Sequence, residues 1–412
     1  MLHLLVLAVI LLATFLFGTT PILLMQDTYY YPWLTTQGLV PYKDFFDHHG
    51  PLLYYLFAPF TKDLTLSSMH MAYFVVKGII LFLLTIVFAR NLNRLSVFWG
   101  LLYGTLFLYA VSPNSLWYEH FITLFIVLAY MVHTTGAIGQ KQELAGFLVG
   151  LATLCKPTAL IFIIPFLIAY RSWRPLMVVG LVWLPILIYF LYKGALLTLI
   201  DSLFLFNLSY ARFVSTGPAI DGYLWQVVMW LLIICSTMLV LRAQLKGHRL
   251  LYGLIFCSFI FVYPRFVLYN MVPLVTFVSI LVGVVFYEIY RTYIVFIASI
   301  LLFFPLFSLA QNVKHQYVLN HSLVPYHERE SSREIIELMS SVEFKGKQIY
   351  LFSNDLEIYY LLRQKPPTYT PSKFEWITDY YKPDVKSELQ KNKVPIVLIP
   401  TKRSGLACIQ EC

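Results

Sequence analysis

Residues 27–56 read DTYYYPWLTTQGLVPYKDFFDHHGPLLYYL, and they lie between two long apolar segments. This position predicts a loop at a membrane surface, because each flanking segment is long enough to span a bilayer. The loop combines nine aromatic residues with three acids and two imidazoles: Asp27, Asp44, Asp47, His48 and His49. Aromatic rings suit the membrane interface, whereas acids and imidazoles beside a bilayer mark functional sites. We therefore predict a reaction centre here; the simpler alternative is an aromatic belt with solvated charges.

The whole chain is strongly apolar. Of its 412 residues, 59% are hydrophobic and only 12% are charged, which excludes an ordinary soluble globule with about a quarter of its residues charged. Apolar runs of spanning length recur from Leu2 to about Ala310, and the composition then turns polar. We predict an α-helical polytopic membrane protein with about eleven transmembrane segments in residues 1–310. Residues 311–412 are predicted to form a small, soluble, extracytoplasmic α/β domain.

Basic residues predict the orientation in the membrane. They lie in short loops that alternate along the chain, and the positive-inside rule places those loops in the cytoplasm. The loop residues are Arg90, Arg94, Lys141, Arg171, Arg174, Arg242, Lys246, Arg249 and Arg291. They explain much of the net charge of +9, so this charge does not indicate a nucleic-acid partner. We predict a cytoplasmic N-terminus in the plasma or inner membrane, an extracytoplasmic C-terminus, and a first span that is retained, because it lacks the marks of a signal peptide.

Two further segments are expected at the outer face. Pro157 disfavours helix at Lys156, and the apolar segments on either side are too short to cross a bilayer comfortably. We therefore expect a helical hairpin with Lys156 at its outer tip, and a single kinked span is the alternative. In a later outer loop, residues 196–214 predict an interfacial helix with Leu, Ile and Phe on one face.

The C-terminal residues show mixed helix and strand patterns. Helices are predicted over 333–342, 354–364 and 384–392, and strands over 347–353 and 394–400. About 100 residues can hold a core of their own. The segment has no glycine-rich phosphate loop and no nucleophile elbow, so we expect it to cover and shape the site.

Several motifs occur in an order that resembles one enzyme superfamily. Asp27 opens the first loop, a Gly-x-x-Pro-Tyr-x-Asp turn spans 38–44, and Gly50-Pro51-Leu52 leads into the next helix; Glu119-His120-Phe121, the glycine-rich 146–157 segment and Pro264-Arg265-Phe266 follow. This order resembles the GT-C membrane glycosyltransferases, within them the branch of protein O-mannosyltransferases and lipid A aminoarabinose transferases. The resemblance covers most of residues 1–310.

The resemblance implies sugar transfer on the outer face. The donor would be a polyprenyl-phosphate sugar, used without a nucleotide, and the acceptor a cell-envelope glycan, lipid or protein. Loop 26–68 would carry the active site, with Asp27 as the base of an inverting displacement. A structural alternative is that Asp27 caps the following helix. A lipid-linked-sugar polymerase, or a flippase or transporter, is the competing class of function.

Three basic residues are candidates for binding the donor phosphate: Lys156, Arg265 and Arg212. Guanidinium groups form forked hydrogen bonds to phosphate oxygens, and an ammonium group supplies a compact charge. Lys156 and Arg265 are expected near the outer ends of spans, where a charged side chain is costly unless it has a partner. The alternative is that these side chains snorkel to lipid head groups.

The histidine pair suggests a metal site. His48 and His49 could bind a divalent ion (Mn, Mg or Zn) with Asp44, Asp47 or Glu119, since imidazole and carboxylate are suitable ligands. They could instead bind the donor phosphate directly, or one could merely pack. Adjacent side chains are expected to point to different sides of the chain. These same five residues, Asp44, Asp47, His48, His49 and Glu119, are also candidates for contacting the acceptor.

Overall fold

The computed structural model describes residues 2–21, 26–61, 66–91, 94–112, 116–134, 140–209, 248–262, 268–289, 309–311, 313–315, 317–318, 330–341, 346–351, 356–371, 375–381, 385–394, 396–401 and 405–410. Within these residues the chain is mostly helical and has a single three-stranded sheet near its C-terminus. The predicted helical class is confirmed at this level.

Helices lie at each predicted apolar span that the structure describes, and further helices lie in the predicted loops. They are α1 (Leu2–Thr19), α2 (Gln26–Thr36), α3 (Leu52–Phe57), α4 (Leu66–Asn91), α5 (Arg94–Val111), α6 (Tyr118–Thr134), α7 (Lys141–Cys155), α8 (Ile163–Tyr170), α9 (Arg174–Tyr192), α10 (Leu196–Ile200), α11 (Arg249–Val262) and α12 (Val272–Ile289). The predicted span 222–241, and all but the last two residues of the predicted span 292–310, lie outside the described residues.

The chain breaks between α7 and α8 as predicted. Lys156 is extended, with φ −156° and ψ 120°, because the ring of Pro157 clashes with a helical conformation of the preceding residue. A tight 3₁₀ turn, Pro157–Phe162, then leads into α8.

By length and composition, two described helical segments are suited to cross a membrane. These are His70–Ala89 within α4 and Arg174–Tyr192, which is α9. Seven other described segments are apolar helices of 10–17 residues. Among the described residues, the number of such helices is therefore smaller than the eleven spans predicted from the sequence.

The chain divides into two compact units. The first consists of Met1–Ile22, Ser67–Pro185 and Thr216–Ser322, and the second of Leu23–Leu66, Ile186–Ser215 and Leu323–Cys412. Segments that are distant in sequence therefore fold together in each unit.

Close helix packing forms the core of the first unit. The ring of Phe88 lies so near Gly100 of α5 and Gly283 of α12 that neither position has room for a side chain. Trp99 and Phe286 stack between the same two helices, with ring centres 4.8 Å apart. The two glycines thus make room for the Phe88 ring of α4 against α5 and α12.

In the second unit, C-terminal elements pack on the first loop. They are α13 (Glu330–Ser340), β1 (Ile349–Leu351), α14 (Glu357–Leu361), α15 (Glu375–Tyr381), α16 (Val385–Lys391), β2 (Ile396–Thr401) and β3 (Gly405–Gln410). Strand β2 pairs parallel to β1 and antiparallel to β3. The three helices and two strands predicted here are confirmed, whereas α15 and β3 were not predicted. Tyr360 of α14 donates a hydrogen bond to the Thr61 carbonyl at 3.0 Å.

Candidate functional site

The loop between α2 and α3 is held in a defined shape by its own backbone. Gly38 and Tyr42 both have positive φ, 81° and 65°, a conformation that is unusual for a tyrosine. The exposed Asp44 carboxylate accepts a hydrogen bond from the Val40 N–H at 2.6 Å, and the Asp44 N–H donates to the Val40 carbonyl at 2.9 Å. Asp44 therefore braces the turn and stands apart from the residues that follow.

Asp47 is the centre of a buried polar group. Its Oδ1 accepts a hydrogen bond from the His48 N–H at 2.6 Å and lies 3.0 Å from His49 Nδ1 and 3.4 Å from His48 Nδ1. Its Oδ2 accepts a hydrogen bond from the Tyr54 hydroxyl. Asp47 is only 3% exposed, so these contacts replace the water that an ionised carboxylate requires.

The two imidazoles lie on the same side of the chain. Their ring centres are 4.1 Å apart. The expectation that adjacent histidines point to different sides is therefore wrong. Asp47 Oδ1 accepts from both backbone N–H groups, the one of His49 at 3.4 Å, which replaces the extended chain by a local turn. His48 is partly exposed, whereas His49 is buried, so the group opens outward on the His48 side.

Groups outside the predicted set hold this turn in place. The Tyr42 hydroxyl donates to the His49 carbonyl at 2.6 Å, and Asn207 Nδ2 donates to the His48 carbonyl at 3.1 Å. The Phe206 ring lies 5.6 Å from the His48 ring. Tyr42 and Tyr54 belong to the aromatic loop of residues 27–56. No local sequence pattern indicates a role for Asn207, which is 159 positions away from His48.

The electrostatics of the group favour an ionised Asp47. Burial alone would raise the pKa of Asp47, but the charges and hydrogen bonds of His49 and His48 lower that pKa well below its usual range. The carboxylate is therefore available as a ligand at neutral pH. Burial, with the nearby Asp47 charge, also raises the pKa of Tyr42, so its hydroxyl stays protonated and donates.

The donor set fits a divalent metal ion. One ligand atom from each of Asp47, His48 and His49 lies within 4.8 Å of the other two. Two imidazoles and one carboxylate suit zinc, manganese or iron and leave further coordination positions open. The fit rests on this chemistry and on the partial exposure of His48. Glu119 and Asp44 do not belong to the group.

The first unit contains a second polar centre. Lys156 Nζ donates to Glu119 Oε1 at 2.9 Å, and the Glu119 side chain is fully buried. The same ammonium lies 5.4 Å from the centre of the Phe261 ring. The structure thus joins two predicted site residues that were assigned to different roles, one to phosphate and one to the acceptor or a metal.

The residue after Glu119 extends this centre. His120 Nδ1 lies 3.1 Å from the Trp117 nitrogen and 3.2 Å from the Trp117 carbonyl oxygen. Both His120 Nε2 and Glu119 Oε2 are buried and have no hydrogen-bond partner within the described part of the chain. Buried polar atoms of this kind are normally satisfied, so a water molecule or a ligand group is expected to reach them.

Lys77 of α4 is fully enclosed in the first unit. Its Nζ donates to the Ser112 carbonyl at 2.6 Å and lies 5.3 and 5.2 Å from the ring centres of Phe17 and Tyr73. A cation beyond the last turn of α5 interacts favourably with the helix dipole. The contacts link α4 to the end of α5.

Three predicted residues lie outside these observations. Arg212 and Arg265 fall outside the described residues, as does the side chain of Asp27. The backbone of Asp27 belongs to α2, which begins one residue earlier, at Gln26. Their roles in base catalysis and phosphate binding stay predictions.

Comparison with known proteins leaves the site as the main guide to function. No family model, no curated protein and no solved structure matches the chain.

Proposed function

We propose that the protein is a membrane glycosyltransferase. It would transfer a sugar from a polyprenyl-phosphate donor to a glycan, lipid or protein acceptor of the cell envelope. The observation that carries the proposal is the Asp47–His48–His49 group, a buried carboxylate with two imidazoles in the loop that follows the first apolar helix. In this proposal the chain is polytopic, and loop 26–68 and residues 311–412 lie on the outer face.

The exposed surface of α9 supports a membrane location. This helix has a mean hydropathy of 2.1, yet only 17% of its most apolar 18-residue stretch is buried. Exposed apolar side chains recur every three or four residues, beginning just before the helix: Trp173, Met177, Leu181, Leu184, Ile188 and Leu191. A core helix of a soluble protein is mostly buried, and soluble monomers rarely expose so continuous an apolar surface. Lipid is the environment that suits this stripe.

The reaction requires a base and positive charge at the leaving phosphate. Asp27 is proposed to accept the proton of the acceptor hydroxyl as the bond to the sugar forms. Lys156, Arg212 and Arg265 are proposed to bind the phosphate. The Lys156–Glu119 ion pair supports this role, because the buried carboxylate fixes the ammonium while its side chain stays 23% exposed.

The residues of the Asp47 group would have a distinct part in the reaction. When bound, a divalent metal ion would supply additional positive charge for the phosphate oxygens. Asp47 and the two imidazoles would hold the ion, and Tyr54 and Asn207 would keep these ligands oriented through the bonds described above. Without such support the imidazoles would retain rotational freedom.

The decisive experiment uses the purified chain in lipid nanodiscs. Polyprenyl-phosphate sugars and envelope extracts are supplied, and mass spectrometry identifies any transferred sugar. We expect transfer by the wild type and none by Asp27→Asn. The matched control Asp44→Asn should transfer normally, because the Asp44 carboxylate only stabilises the turn and the asparagine side chain can still accept the same hydrogen bond. Full turnover by Asp27→Asn would refute the assigned base. Movement of donor between leaflets without any transfer would instead identify a flippase.

A further inference from the structure

The segment after α9 has one exposed apolar face. It comprises α10, a π turn (Asp201–Leu205) and one more helical turn to Ser209. Leu197 is 82% exposed and Leu208 69% exposed, and the exposed face also includes Ile200, Phe204 and Leu205. The segment therefore presents a row of large apolar side chains along its whole length, and their exposure to water would be unfavourable.

The opposite face of the segment holds the candidate site. Phe206 is buried against Phe46, with ring centres 4.9 Å apart, and lies beside His48. Asn207 donates to the His48 carbonyl. A change in the position of this segment would therefore move His48.

The only acid of the segment is held by hydrogen bonds within the second unit. Asp201 accepts hydrogen bonds from the hydroxyls of Tyr380 and Tyr381 of α15 at 2.7 and 2.8 Å. The two tyrosine hydroxyls thus stabilise the Asp201 carboxylate within the second unit. The polar and apolar side chains of the segment are separated on two faces, as in helices that lie in a membrane interface.

The residues just before the segment are of the kinds that occur at the edge of a membrane. Tyr189 and Tyr192 lie at the end of α9, and the Lys193 ammonium is 5.8 Å from the centre of each ring. Aromatic and basic residues concentrate at membrane–water interfaces. Gly194, with φ +65°, then ends the helix and turns the chain.

From these observations we infer that residues 196–209 lie on the lipid surface and that the bilayer positions His48 through them. The apolar face contacts the acyl boundary, and the opposite face carries Phe206 and Asn207 to the site. The inference rests on the membrane location in the proposed function. In addition, the contact with lipid would fix the distance between His48 and the bilayer surface, where a lipid-linked donor presents its phosphate.

Photo-crosslinking in nanodiscs tests the contact. A photoreactive amino acid replaces Leu208, and mass spectrometry detects lipid adducts; Leu184 on α9 is the positive control and the exposed Asp379 of α15 the negative control. We expect adducts at 208 and 184 and none at 379. Adducts at 184 but not at 208 would overturn the inference and leave the membrane location intact. Loss of adducts at both positions would overturn the membrane location as well.

A second measurement tests the link to the site. The double variant Leu197→Ser, Leu208→Ser is assayed with a long-chain donor in the bilayer and with a short-chain, water-soluble donor. We expect loss of transfer with the long-chain donor and little change with the soluble one. An equal loss with both donors would indicate structural damage and overturn the link. Normal rates with both would also overturn it.

Discussion

Lys156 Nζ and Glu119 Oε1 form an ion pair at 2.9 Å that joins the end of α7 to the first turn of α6. The carboxylate is fully buried, whereas the lysine side chain keeps a limited exposure. Removing one charge leaves the other buried without its partner, which is more costly than removing both.

This asymmetry predicts the effect of Lys156→Met. We expect the free energy of unfolding in micelles to fall by on the order of 3 kcal/mol, because the Glu119 charge loses its partner. The double variant Glu119→Gln, Lys156→Met should recover much of the loss. Lys141→Met at the start of the same helix is the control and should cost less than about 0.5 kcal/mol. Equal losses in the single and double variants would contradict the prediction.

Removal of any member of the Asp47 group is expected to weaken metal binding. Asp47→Asn, His48→Ala and His49→Ala should each lower the affinity for zinc or manganese by at least about tenfold. Asp44→Asn, in the same loop, should bind normally. Elemental analysis and titration of the chelated protein measure the effect. Unchanged metal content in all three variants would exclude the site.

Two adjacent tyrosines offer a matched comparison. Tyr54→Phe removes a buried hydroxyl that donates to the Asp47 carboxylate, and we expect a loss of about 1.5–3 kcal/mol in the free energy of unfolding. Tyr55→Phe removes a part-exposed hydroxyl bonded to that of Tyr189 at 3.2 Å, so its effect should stay below about 0.5 kcal/mol. Chemical denaturation measures both. Similar values for the two variants would argue against an ionised Asp47.

Two glycines in the first unit should respond oppositely to alanine. A Cβ at Gly146 would lie 2.7 Å from the Pro175 Cα, where backbone leaves no room, so Gly146→Ala should cost about 1–3 kcal/mol. A Cβ at Gly180 of α9 would meet nothing within 4 Å. Gly180→Ala should therefore be neutral or stabilise the helix by up to about 1 kcal/mol. Thermal unfolding in detergent tests the pair, and a stable Gly146→Ala would contradict the packing of α7 on α9.

The half-buried Tyr369 side chain is expected to make the free energy of unfolding depend on pH in the alkaline range. Burial raises the pKa of Tyr369 to about 12, above the ordinary value of about 10. Folding therefore favours the neutral phenol, and this contribution is complete below about pH 10 and lost as the pH rises toward 12. The difference in free energy of unfolding between the wild type and Tyr369→Phe should shrink over that interval. A difference independent of pH would refute the shift.

Local patterns predict the helices well. The apolar runs identify the described helices, and Pro157 identifies the break at Lys156, because both effects act within a few residues. The sequence does not predict strand β3 and helix α15, because their residues, GLACIQ and EWITDYY, have a weak hydrophobic periodicity. Long-range packing stabilises them instead.

The site is only partly predictable from sequence for the same reason. Asp47, His48 and His49 are adjacent, so their gathering follows from a single turn. The pairing of Glu119 with Lys156 and the contact of Asn207 with His48 join positions 37 and 159 residues apart. Such contacts depend on how helices pack, which periodicity does not encode.

The left-handed backbone of Tyr42 has a consequence for the loop. A non-glycine residue in this conformation costs on the order of 1 kcal/mol, and it persists because the surroundings fix it: its hydroxyl donates to the His49 carbonyl and its carbonyl accepts from Tyr369. The strain is therefore present in the folded protein before any substrate binds. An arriving substrate would meet a loop that is already rigid, and its binding energy would not be consumed in ordering it.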